Sequence, residues 1–177
     1  MTLKPELLEK SFAAIKPQMQ QFSASFYKNL FLNNPEVEAM FKNVSIEAQE
    51  KKLIASLGLI VENLRNPEEL TFALKSLGAH HVTVGTVTEH YPLVGKALLE
   101  TFADYLGSQW TEELEKNWLE AYTLICKIML QGAEKPDNYL GGELTFYEWL
   151  DLYGESSQSL RETIANVTHF KYRKTTI

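Results

Sequence analysis

Apolar side chains recur at three- and four-residue spacing from Leu7 to Met129, and each interruption carries residues that start or stop helices. That pattern restricts the chain to an all-α architecture. Leu7, Leu8, Phe12 and Ile15 share one helical face until Pro17 intervenes. Met19, Phe22, Phe26, Leu30 and Phe31 form a second stripe that stops at Asn33-Asn34-Pro35. Pro35 suits the first turn of a short helix reaching Phe41, where its missing N–H goes unneeded. Ser45 is placed to cap a helix running to about Arg65, with Leu53, Leu57, Ile60, Val61 and Leu64 on one face. Asn66-Pro67 reads as cap and first residue of the next helix, in which Leu70, Leu74, Leu77 and His81 share a face. A helix from about Glu89 to Leu106 has Pro92 in its first turn and Gly107 as its stop. The last long helix starts at a Thr111 cap and ends near Gly132. No β-hairpin signature and no internal repeat interrupts the series.

Length and composition narrow the class further. At 177 residues the chain can bury one real core, alone or with an extension. A 45% hydrophobic and 11% aromatic content excludes a disordered chain. The net charge of -6 argues against nucleic acid or an anionic membrane as a partner. A single cysteine, Cys126, rules out an intrachain disulfide or a thiolate metal cluster and suits a reducing compartment. The N-terminus lacks a signal-peptide layout, and no apolar run approaches the roughly 18 residues of a membrane span. A cytoplasmic location is expected.

After Gly132 the composition changes. Glu134-Lys-Pro-Asp-Asn and Gly141-Gly142 are breaker clusters. Beyond them, Phe146, Tyr147, Trp149, Tyr153, Phe170 and Tyr172 make the segment too aromatic for a disordered tail. Short helices are predicted at about 143–152 and 157–167, the second with Leu160, Ile164 and Val167 inward. His169 to Lys174 alternates aromatic and basic residues, as an edge strand or a frayed tail would. The chain thus divides into a main domain, 1–134, and a packed extension, 135–177.

The chemistry concentrates in Leu77-Gly-Ala-His-His-Val-Thr-Val-Gly85, closed by Glu89-His-Tyr-Pro-Leu-Val-Gly95. It places an imidazole near the end of one amphipathic helix, a glycine at the exit and Tyr-Pro opening the next. Neutral imidazole nitrogen is a common axial ligand of haem iron. His81 is the first candidate; His80 next to it is the alternative, and the register with Leu70, Leu74 and Leu77 favours His81. Gln49 and Leu53 lie four residues apart, on one face of their helix. An amide and an apolar wall there could flank a small bound ligand. Tyr27 could add a phenolic donor, and Phe41 a ring to stack on a flat cofactor. Singly, these would be ordinary core or half-exposed residues. Only together do they suggest a pocket.

From about Leu7 to Gly132 the chain resembles bacterial single-domain globins of the flavohaemoglobin and neuroglobin-like lineage. The resemblance rests on Ser25-Phe-Tyr-Lys-Asn-Leu-Phe31, Asn34-Pro-Glu-Val-Glu-Ala-Met-Phe41, Gln49 with Leu53, and Leu77-Gly-Ala-His-His81. It continues through His90-Tyr-Pro-Leu-Val-Gly-Lys-Ala-Leu-Leu99 and from Trp118 to Tyr122. It implies a three-over-three helical sandwich holding haem b non-covalently, since no Cys-x-x-Cys-His occurs. It implies His81 as the proximal iron ligand, Tyr27 and Gln49 as distal donors, Leu53 as the distal wall and Phe41 as the stacking ring. Leu77, Val84, Tyr91 and Val94 complete the implied cofactor contacts, Tyr91 matching a tyrosine near the family's proximal histidine.

The resemblance also has departures. Flavohaemoglobins carry a glutamate near the end of the last globin helix, coupled to the proximal histidine. Here the matching position is Lys135, beside Glu134, so that electron-donating relay is not expected. Their reductase domain is not expected either: no Gly-x-Gly-x-x-Gly occurs, and the stretch after Gly132 is too short.

The implied function is reversible binding of O₂, and of NO or CO, for oxygen binding or transport. Nitric oxide dioxygenase turnover, detoxifying NO to nitrate, would need an external reductase. The alternative is a haem-based gas or redox sensor acting through residues 136–177 on a protein partner or a second copy.

Overall fold

A computed structural model describes residues 3–140 of the protein, and the described residues are all helix, turn and loop. The α-helices are α1 Pro5–Ile15, α2 Met19–Asn33, α3 Pro35–Glu38, α4 Ile46–Glu62, α5 Pro67–Thr83, α6 His90–Leu106, α7 Glu112–Ala133 and α8 Asp137–Leu140. Short 3₁₀ turns occupy Lys16–Gln18, Ala39–Phe41 and Gly107–Gln109. The helices predicted at about 143–152 and 157–167, and the alternation from His169 to Lys174, lie outside the described residues.

Local chemistry accounts for several helix ends. Ser45 Oγ accepts from the Ala48 N–H at 3.3 Å and starts α4; Thr111 Oγ1 accepts from Leu114 N–H at 3.2 Å and starts α7. Acidic residues Glu112, Glu113 and Glu115 in the first turn of α7 suit its positive end. Gly107 ends α6 with a φ of 51°, a conformation that L side chains rarely adopt. Two expected ends differ. α4 stops at Glu62 rather than near Arg65: the chain leaves the helix in a turn over 63–65, where the buried Asn63 Nδ2 donates to the Leu59 carbonyl at 2.8 Å. Asn66 makes no side-chain cap bond to α5, and its Nδ2 instead lies 3.5 Å from Asn63 Oδ1.

The main core draws on α1, α2, α4, α6 and α7. Phe22 and Phe102 are fully buried, and Phe102 stacks on Trp118 with ring centroids 4.1 Å apart. Trp118 Nε1 donates to Ser11 Oγ at 3.0 Å, so the indole N–H is satisfied inside the core. A second core joins Leu59 and Ile60 of α4, Leu74 and Leu77 of α5, Tyr91 of α6 and Met129 of α7. α4 packs mainly on α2, whereas α5 packs mainly on α7, and side chains of the second core link α4 to α5.

The α5–α7 crossing is very close. A Cβ built on Gly78 would land on the Met129 carbonyl, and one on Gly132 would land on the Lys75 carbonyl. Each helix therefore presents a glycine to the other's backbone. α8 returns to α5, where Tyr139 meets Phe72 edge-on at 6.2 Å.

Candidate functional site

His81 occupies the last turn of α5, and its neighbours hold its ring in one orientation. Nδ1–H donates to the Leu77 carbonyl one turn back, at 2.8 Å. The loop then folds over the helix end: Thr86 N–H donates to the His81 carbonyl at 2.9 Å, with Gly85 at a φ of 82°. Burial holds the imidazole below its ordinary pKa, the Leu77 bond opposes that shift, and the neighbouring His80 adds to it. Because a carbonyl can only accept, Nδ1 carries a proton, and in the neutral form the lone pair lies on Nε2. That is the tautomer a metal ligand needs.

Around this imidazole the surface is apolar and aromatic. Leu77 is buried, and the Tyr91 ring lies 6.3 Å from the His81 ring, centroid to centroid. Tyr122 O–H donates to the Tyr91 carbonyl at 2.6 Å, and the Tyr122 ring fills the space beside Gly95. Burial raises the Tyr91 hydroxyl pKa to about 12 and pushes the Cys126 thiol up as well. The Tyr91 hydroxyl is buried with no hydrogen-bond partner among the described residues. Tyr91→Phe removes a group whose burial without a partner costs about 1–3 kcal/mol. The expected result is an unchanged or higher urea midpoint; a clear fall would show that the hydroxyl has a stabilising partner.

The distal candidates gather on the other side of α4. Tyr27 is buried on α2, and its hydroxyl donates to the main-chain carbonyl of Gln49 at 3.3 Å. Phe41 lies edge-on to Tyr27 at 5.8 Å and 5.2 Å from Phe31, so three rings of α2 and the turn after α3 form one aromatic patch. Leu53 and Val94 are partly buried against the same core. Gln49 itself is half-buried in the first turns of α4. Val84 stands apart, 56% exposed at the C-cap of α5. The structure thus brings Tyr27, Gln49 and Phe41 into contact, and Leu77, Tyr91 and His81 into a second group.

One imidazole among apolar walls could not hold a bare metal ion. No group of three or more His, Cys, Asp or Glu suited to a metal occurs among the described residues. An iron that brings its own macrocyclic ligands needs only one such donor, and a flat apolar ring suits these walls. The donor set therefore fits haem. Tyr122, which supports Tyr91, was not singled out as a site residue from sequence. Its signal is Gly95, a small residue one turn after Tyr91 that leaves room for a ring.

Residues 24–129 match the globin family model. The chain belongs to the globin family. This globin is 28% identical over 150 residues to a flavohemoprotein from Oceanobacillus iheyensis, covering 81% of this chain and 37% of that protein. A flavohemoprotein from Rhizobium meliloti is 32% identical over 106 residues, covering 59% of this chain and 26% of the relative. The globin therefore spans only about a third of the length of these relatives. Among solved structures, an engineered carbene transferase from Rhodothermus marinus superposes with a TM-score of 0.68 at 27% identity. That match covers 78% of this chain and 99% of the other. A bacterial globin from Campylobacter jejuni gives a TM-score of 0.64 at 27% identity, covering 76% and 96%. The all-α architecture expected from sequence is the globin fold. No described helix is long and apolar enough to cross a membrane.

Proposed function

We propose that this globin binds haem b through His81 Nε2 and holds small gas ligands, O₂ with NO and CO, on the opposite side. The observation that carries the reading is the fixed imidazole: its Nδ1–H donates to the Leu77 carbonyl, which leaves Nε2 as the nitrogen to face a ligand. Leu77, Tyr91, Val94, Phe41 and Val84 would border the cofactor, and Leu53 would limit the space above it. When bound, haem supplies an iron centre that takes a diatomic ligand.

The distal residues account for ligand retention. A gas ligand with electron density on its far atom would need a hydrogen-bond donor there. The Tyr27 O–H and the Gln49 amide are the nearby donors able to meet it, and such donors count for more where water is scarce. On the proximal side the acceptor for Nδ1–H is a neutral carbonyl rather than a carboxylate. The imidazole keeps its proton, which supports reversible binding as the primary activity. Nitric oxide dioxygenase turnover, in which O₂ and NO give nitrate, would draw its electron from an external reductase.

Tyr27→Phe tests this directly. Exchanging a donor to a charged acceptor for the bond it already makes leaves a net effect of about 1–2 kcal/mol. The expected result is O₂ dissociation about tenfold faster in stopped-flow, at that scale. An unchanged rate would remove Tyr27 from the account.

A further inference from the structure

The outer faces of α6 and α7 enclose a mostly apolar groove of about 1000 Å³, lined by residues including Leu99, Tyr122 and Leu130. Along its α7 wall, Glu115, Leu119, Thr123 and Lys127 follow at four-residue intervals and so form one ridge. All four are exposed, Leu119 by 51%. The ridge carries an acid at one end, a base at the other and two uncharged side chains between. Neither Glu115 nor Lys127 forms an ion pair with another described residue.

We propose that this groove is a self-association surface on which a second copy of the chain docks across a two-fold axis. Glu115 and Lys127 lie equally far from the ridge midpoint, as do Leu119 and Thr123. A two-fold axis through that midpoint sets the two α7 helices antiparallel. Each Glu115 then faces Lys127 of the partner subunit, and each Leu119 covers Thr123 of the partner subunit. The contact is isologous, so every favourable pair occurs twice and the assembly closes at two copies. A parallel arrangement would instead set like charges together. The same contact takes Leu119 and the apolar groove out of water, which a monomer leaves exposed. This inference does not depend on the haem reading.

Sedimentation equilibrium of the full chain over micromolar concentrations is expected to show monomer and dimer in exchange. Glu115→Lys alone places lysine opposite lysine, and Lys127→Glu alone places acid opposite acid. Each is expected to weaken the dimer by about tenfold or more, because like charges across an interface repel. The double exchange E115K/K127E restores opposite charges across the axis and is expected to regain the parental affinity. Both positions are exposed, so folding should be retained, and far-UV circular dichroism checks this. A monomer at all concentrations overturns the proposal. So does a dimer indifferent to the single exchanges, or a double variant as weak as the singles. The last two results would assign the groove to another occupant, such as residues 141–177 or an unlike protein.

Discussion

His81→Ala is expected to abolish haem retention, with affinity lower by more than about a hundredfold. Losing a second partner that merely orients a ligand histidine already costs roughly 10–100-fold at metal sites. Removing the donor itself should cost more. The measurement is a haem titration followed in the Soret region, beside circular dichroism to show that the helices persist. Helix content should persist because the side-chain bond of His81 is local, to the Leu77 carbonyl of the same helix. Added free imidazole should restore part of the absorbance by occupying the vacated ligand position. His80→Ala is the matched control and should bind haem normally. If the two variants exchange behaviour, the ligand is His80 and the orientation argument fails.

Gly78→Ala is expected to destabilise the protein by about 3 kcal/mol. Its new methyl group meets the Met129 carbonyl, which belongs to a helix backbone and cannot turn aside as a side-chain tip would. Either α5 lifts away from α7 or the crossing distorts, and His81, one turn further along, moves with it. Urea unfolding followed by circular dichroism measures the loss. Gly58→Ala is the contrasting case: nothing lies within 4 Å of a Cβ there, and it sits inside α4. It should gain up to about 1 kcal/mol through helix propensity. Equal effects at the two glycines would mean that the α5–α7 contact is looser than described.

The legible parts of this protein are those governed by near neighbours. Ser45 and Thr111 cap their helices because a hydroxyl before an apolar stripe needs only the next three residues to act. The candidate ligand was legible because His81 shares a face with Leu74 and Leu77, both buried in the second core. What stayed hidden depends on distant backbone. Gly78 and Gly132 look like ordinary small residues until the other helix is in place. Asn63 reads as one more polar residue of the helix, yet it is buried at its end with its amide on the Leu59 carbonyl. The Tyr27 hydroxyl was expected to point into a cavity, and its acceptor, a main-chain oxygen 22 residues away, leaves no mark in the sequence. Residue type gives no sign of Val84's exposure, which follows from its place where α5 gives way to a loop.

If haem binds as proposed, that tyrosine bond would bear on which gases the site favours. Its phenol has one proton to give, already lent to a peptide oxygen, so any newcomer must outbid that oxygen rather than simply accept an idle donor. A ligand whose far atom gathers electron density can do so, whereas carbon monoxide, nearly unpolarised, offers too little to draw the proton across. Discrimination between two molecules of similar size would then come from a tug-of-war over a single hydrogen, with the opening turn of α4 as the other contestant.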